Sequence, residues 1–201
     1  KTQELYGSKM LLTEKCFLNF IKTDFKIEYS KSNKFRIGIF NIITKLSTRF
    51  MTMLSKIPEK YEDVVFVFKN SELRNEKNKS YIYSYLNPDK VDFKPWKSTR
   101  EEALKDFNNI DICIDSFPYS GTCTSCDTLT TGCPLVTLRD DEKNFQNVTS
   151  SLLYHSNLDA LVFEHEEKLV DNIKEASSYY TREFIQHSFN ENICNLDGFK
   201  Q

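Results

Sequence analysis

The chain has 201 residues, 39% of them hydrophobic and 28% charged, with a formal net charge of −2. That balance excludes a disordered chain, and the near-neutral charge gives no electrostatic reason to expect nucleic acid or an anionic membrane as partner. The length suits one α/β domain with its own core and is too short for two.

Residues 3–22 carry Leu11, Leu12, Phe17, Leu18 and Ile21 on roughly one helical face and predict a helix. A polar connection follows over 22–34. FRIGIFNII (35–43) predicts a strand running into a turn. LSTRFMTMLSKI (46–57) predicts an amphipathic helix capped by Ser47 or Thr48 and closed by Pro58. DVVFVFK (63–69) is apolar and β-branched throughout, as in strands buried on both faces of a parallel sheet. Residues 71–86 predict a helix, or a helix and a loop. A short strand is expected at 90–96. A helix follows at 98–107, with Ser98 and Glu101 in capping-box spacing.

Next come strand 110–115, turn 116–121, helix 122–131, strand 134–138, helix 143–155, a short apolar piece at 158–163 and helix 164–177. Residues 179–195 predict a last helix. Strand and helix alternate about six times, which predicts a Rossmann-like, doubly wound parallel sheet.

No apolar run reaches the ~18 residues that a membrane helix needs. The opening KTQELYGSKM has neither an initiator Met nor a signal-peptide profile, so the chain reads as a piece of a longer one. The six cysteines, at 16, 113, 123, 126, 133 and 194, read as reduced thiols in a cytoplasmic or nuclear protein.

Residues 110–138, IDICIDSFPYSGTCTSCDTLTTGCPLVTL, carry the chemistry. In an open parallel sheet, ligands bind beyond the carboxyl ends of the strands, where strand 110–115 delivers the chain. Pro118 and Gly121 shape the turn. The helix starting near Thr122 offers unpaired N–H groups and a partial positive charge, which suit a phosphate. Thr122, Thr124 and Ser125 add hydroxyls, although Ser and Thr at a helix start also read as ordinary caps. Asp127, taken as lying just inside the first turn, can accept from ribose hydroxyls. Lys45 follows the first strand at the same edge, within reach of a diphosphate. Arg100 is a second cation of this kind. Neither G-x-G-x-x-G nor a P-loop occurs. Cys123 and Cys126 form a lone C-x-x-C, readable as a redox pair or as half of a metal site. Asp140 and Asp141 read as a solvated acidic pair.

The pattern D-I-x-I-D-S-F-P-Y-S-G-T-x-T-S-C-D-x-L-x-x-G-x-P-L-V-T-L at 111–138 resembles the C-terminal catalytic half of the O-GlcNAc transferase family, and its SPINDLY-type branch in particular. Leu11-Leu12-x-x-x-Cys16-Phe17-Leu18, Gly38-Ile39-Phe40-Asn41-x-x-x-Lys45-Leu46 and Gln146-Asn147-Val148-x-x-Ser151-Leu152-Leu153 resemble three other family segments in order and spacing. The resemblance spans roughly residues 8–177. It implies a GT-B fold, of which this chain would be the second, nucleotide-binding lobe. The divisions are then 1–33 as lead-in helix and interlobe connection, 34–178 as the lobe, and 179–201 as C-terminal helix and tail.

The resemblance further implies a protein Ser/Thr O-glycosyltransferase, inverting and metal-independent, with UDP-GlcNAc or GDP-fucose as donor and no other cofactor. Lys45 matches the Lys on the donor diphosphate. Gly121, Thr122, Cys123 and Thr124 match the phosphate-binding turn, and Asp127 the ribose-binding acid. Arg100 falls near a basic position that contacts the nucleotide. Expected partners are the donor, acceptor proteins, an N-terminal catalytic lobe and tetratricopeptide repeats upstream; the chain alone is expected to be inactive. Thr122 stands where O-GlcNAc transferases have His and the SPINDLY branch has Thr. Ala103 stands where a His is frequent, Ile42 where many members have an amide, and Cys123 where a Thr is usual. These differences favour a rival reading, a non-catalytic Rossmann-type module that binds a nucleotide or a protein.

Overall fold

The structure, a computed structural model, describes residues 16–18, 20–139 and 144–194. Six parallel strands form its centre: β1 (Phe35–Ile39), β2 (Val64–Phe68), β3 (Val91–Phe93), β4 (Ile112–Ile114), β5 (Leu135–Leu138) and β6 (Val162–Phe163). Their order across the sheet is β3-β2-β1-β4-β5-β6. The chain winds outward from β1 in one direction and from β4 in the other. The crevice beyond the carboxyl ends of β1 and β4 is therefore the topological switch point, where such sheets bind ligands.

Among the described residues, seven α-helices connect or follow the strands: α1 (Thr48–Lys60), α2 (Glu76–Tyr83), α3 (Arg100–Lys105), α4 (Cys123–Thr130), α5 (Val148–His155), α6 (Glu166–Ala176) and α7 (Arg182–Ile193). Helix α1 packs beside α6, while α4 and α5 pack against α7. Every residue of β2 is buried, as its unbroken apolar run requires of a central parallel strand. Phe50, Phe66, Phe68, Phe189, Ile37 and Leu54 are among the side chains at the centre of the core.

The local predictions differ from the structure in several places, and the helix expected at 143–155 is a 3-10 turn over Asn144–Gln146 with an α-helix only from Val148. Pro58 does not close α1 but lies inside it, and the helix runs on to Lys60; a proline this near the end removes only one backbone bond. The cap of α3 is Thr99, one residue after Ser98, and its hydroxyl accepts from the N–H of Glu102. Asp127 is the fifth residue of α4, past its first turn. Of the helix expected at 3–22, residues 3–15 and 19 lie outside the described residues, and 16–18 and 20–22 are not helical. Phe20 instead packs on Phe189, with ring centroids 6.2 Å apart, and its N–H donates to the Ile193 carbonyl. Tertiary contact with α7 overrides the local pattern here. The acidic pair Asp140 and Asp141 also falls outside the described residues.

Candidate functional site

Two loops meet at the switch point. The first, 40–47, leaves β1 and enters α1. Its start is held by Asn70 Nδ2, which donates to the Asn41 carbonyl at 3.0 Å, and by Glu72, which accepts from the Ile43 N–H at 2.7 Å. The second, 115–122, leaves β4 and enters α4.

Three sets of bonds join the loops. Asn41 Nδ2 donates to Asp115 Oδ1 at 3.2 Å and to Ser116 Oγ at 2.7 Å. Ser47, the N-cap of α1, accepts from the Phe50 N–H and donates to the Phe117 carbonyl at 2.7 Å. Lys45 Nζ donates to the Ser120 carbonyl at 2.8 Å, and the Tyr119 ring lies against the same ammonium, 4.2 Å away at its centroid. Among the described residues one of the three ammonium protons is thus used, which leaves two for a ligand. Burial pulls the Lys45 ammonium below its ordinary value, against the opposing influence of Asp115 and Cys123.

Asp115 is the centre of the second loop, and it is not among the site residues expected from the sequence. It is 2% exposed. Oδ1 accepts from the Gly121 N–H at 2.8 Å, and Oδ2 from the hydroxyls of Ser120 at 2.9 Å and Thr137 at 3.4 Å. Burial pushes its carboxyl up, and the hydrogen-bonding groups of Thr149, Ser120, Gly121 and Asn41 hold it back. The network extends to Thr149 in α5, whose N–H donates to Ser120 Oγ at 2.9 Å and whose hydroxyl shares a 2.8 Å bond with Ser125. An acid closing the apolar run Ile112-Cys113-Ile114 was a legible hint of Asp115; nothing local pointed to Thr149.

Gly121 is required by this packing. A Cβ on it would meet Ser125 Oγ at 2.3 Å and Asp115 Oδ1 at 2.7 Å. Its N–H points inward to Asp115, so the amides free at the crevice are those that follow. The first bond of α4 runs from the Cys126 N–H to the Thr122 carbonyl, which leaves the N–H groups of Cys123, Thr124 and Ser125 without intrahelical acceptors. Thr122 holds the N-cap position, but its side chain makes no capping bond. At its far end α4 stops in a Schellman motif: Gly132 has φ +70°, its N–H donates to the Leu129 carbonyl, and the Cys133 N–H to the Thr128 carbonyl.

Asp127 faces α3. Arg100 Nε and Nη2 both donate to Asp127 Oδ1, at 3.0 and 2.7 Å. Burial raises the Asp127 carboxyl and Arg100 opposes that rise. The structure thus collects Lys45, Gly121, Thr122, Cys123 and Thr124 at one loop junction, with Asp127 and Arg100 one turn along α4. Cys123 is exposed and Cys126 buried, so the C-x-x-C presents a single accessible thiol. Among the described residues no group of three or more His, Cys, Asp or Glu is arranged to hold a metal, and no helix is long and apolar enough to cross a membrane.

No family model matches the chain. The tomato (Solanum lycopersicum) protein described as probable UDP-N-acetylglucosamine–peptide N-acetylglucosaminyltransferase SPINDLY is 33% identical over 96 residues, 48% of this chain and 10% of that protein. The rice (Oryza sativa subsp. japonica) protein of the same description is 28% identical over 138 residues, 66% of this chain and 15% of that protein. The chain therefore spans a small part of these relatives. Among solved structures, the O-GlcNAc transferase of Thermobaculum terrenum superposes with a TM-score of 0.72 at 22% identity, over 81% of this chain and 33% of that one. At that identity the likeness is one of fold: a Rossmann-like lobe of the GT-B type.

Proposed function

Because this chain is a relative of the O-GlcNAc transferase and SPINDLY family and folds as one GT-B lobe, we propose that it is the donor-binding lobe of a glycosyltransferase. The reaction is inverting transfer of a sugar from UDP-GlcNAc or GDP-fucose to Ser or Thr hydroxyls of acceptor proteins. One observation carries the reading. The Lys45 ammonium is bonded to the carbonyl of Ser120, in the same turn that opens α4, so a cation and a helix N-terminus stand side by side at the switch point.

In this mechanism the acceptor hydroxyl oxygen attacks the anomeric carbon on the face opposite the diphosphate, and its proton passes through solvent to the departing diphosphate. The bond from that carbon to the phosphate oxygen breaks, and negative charge grows on the leaving nucleoside diphosphate. Lys45 and the N–H groups of residues 123–125 stabilise that charge in place; with both present, no divalent cation is called for. The hydroxyls of Thr122 and Thr124 add donors. Asp127 Oδ2 accepts from the ribose. It lies four residues beyond Cys123, about 6 Å along the helix axis, in keeping with the order in which a nucleotide presents phosphate and then sugar.

A second reading, nucleotide binding without turnover, is favoured by Ile42, an apolar side chain 44% exposed at the loop that carries Lys45. Calorimetric titration of the full-length protein with UDP, GDP and their sugar conjugates, alongside donor turnover, separates the two. Lys45→Ala should lower turnover about 100-fold or more, the usual scale for one oxyanion-stabilising donor. Normal turnover in both Lys45→Ala and Asp127→Ala would dismiss the assignment, and tight binding without any turnover would favour the second reading.

A further inference from the structure

Arg100 makes directed contacts through three of its nitrogens. Nε and Nη2 converge on Asp127 Oδ1, while Nη1 donates to Thr23 Oγ1 at 3.2 Å. The guanidinium also lies 5.1 Å from the centre of the Phe20 ring. Through this one side chain, α3 is tied to α4 and to the segment over residues 20–23. A carboxylate held at one oxygen by two nitrogens of a planar guanidinium has that oxygen fixed, which narrows the positions open to the other. The Asp127 side chain is 27% exposed, and the oxygen that Arg100 leaves for another donor is Oδ2.

We propose that Arg100 is a positioning residue: by pinning Oδ1 it aims Asp127 Oδ2 at the ribose hydroxyls and thereby sets a preference for ribonucleotides over their deoxy counterparts. The inference rests on the assignment of Asp127 to the ribose. Direct contact between Arg100 and the diphosphate would require the guanidinium to break its bonds to Asp127 and Thr23. Lys45 and the start of α4 already supply positive charge at the phosphate position, a full turn away from Asp127. Arg100 thus acts through the carboxylate rather than on the nucleotide.

The test is titration of the full-length protein with UDP, GDP, their 2′,3′-dideoxy forms and inorganic pyrophosphate. The parent should bind the preferred ribonucleotide about 10-fold or more tightly than its dideoxy form, the scale of a hydrogen bond to a charged group. In Arg100→Ala that ratio should fall below about 3-fold, while dideoxynucleotide and pyrophosphate affinities stay within about 3-fold of the parent. Arg100→Lys, which keeps the charge without the fork, should give an intermediate ratio and serves as the readout if the alanine variant does not fold.

An unchanged ratio in both variants overturns the inference. So does an equal loss for ribo-, dideoxynucleotide and pyrophosphate, which would make Arg100 a phosphate ligand. A parent that binds nucleotides without preferring ribose overturns it and leaves the diphosphate cradle standing. A parent that binds no nucleotide at all overturns the proposed function as well.

Discussion

Replacing Gly121 by Ala tests how tightly the second loop is built. The new methyl would sit 2.3 Å from Ser125 Oγ and 2.7 Å from Asp115 Oδ1, whereas carbon atoms prefer neighbours ~3.5–4.0 Å away. Relief requires a shift of about 1 Å, and neither obstacle is free to move. Ser125 is bonded to Thr149, and Asp115 to Asn41, Ser120 and Gly121 itself. Overpacking of this kind costs about 1–3 kcal/mol, and each hydrogen bond lost costs about 1 kcal/mol more. The sum is roughly 2–5 kcal/mol. For a chain of this size that corresponds to a fall in Tm of about 10 °C.

Thermal unfolding followed by circular dichroism reads this directly. The double variant Gly121→Ala with Ser125→Ala removes the nearer obstacle and should recover about 1–2 kcal/mol relative to the sum of the single changes. A Gly121→Ala protein melting within about 2 °C of the parent, or a double variant worse than the sum, would refute the account of the turn.

Three further outcomes follow from the same geometry. Lys69, 5% exposed, donates to the Ala103 carbonyl and pairs with Asp106 at 2.7 Å; Lys69→Ala leaves that acid without its partner and should cost about 3 kcal/mol in urea unfolding. The Asp115 carboxyl is raised above its ordinary value of 3.8, so its contribution to stability is full below that pH and is lost as pH rises through the folded-state value. The deficit of Asp115→Asn should therefore be largest in acid and narrow toward neutrality, and a deficit that widens with pH contradicts the raised value. Because Lys45 is lowered, nucleoside diphosphate affinity should fall at a less alkaline pH than an unburied lysine would give; a titration flat to pH 10.5, the ordinary lysine value, opposes this.

Much of the lobe is readable from periodicity. The runs at 35–40, 63–69, 110–115 and 134–138 are apolar and flanked by polar turns, so their burial and parallel pairing follow from composition. The acid-rich start of α3 and the Ser47 cap of α1 are local signals, readable to within a residue. Asn41, Asp115, Ser120 and Thr149 were not readable as a group, because their partners lie 5 to 75 residues away and no spacing rule connects them. The pairing of Arg100 with Asp127 was hidden for the same reason: both residues stood out as charges, but only the fold, which sets the start of α3 within reach of α4, turns two separate candidates into one unit. Pro58 misled because proline is a weak stop when few carbonyls remain to be satisfied beyond it.

The bonds from Lys45 to Ser120, Ser47 to Phe117 and Asn41 to Asp115 all cross between the β1 half and the β4 half of the sheet. Neither half possesses the proposed nucleotide cradle by itself; on that reading the cradle forms only where the two halves meet. Under the proposed function, nucleotide binds only the fully joined lobe, so its presence during refolding would favour that lobe over any half-assembled form.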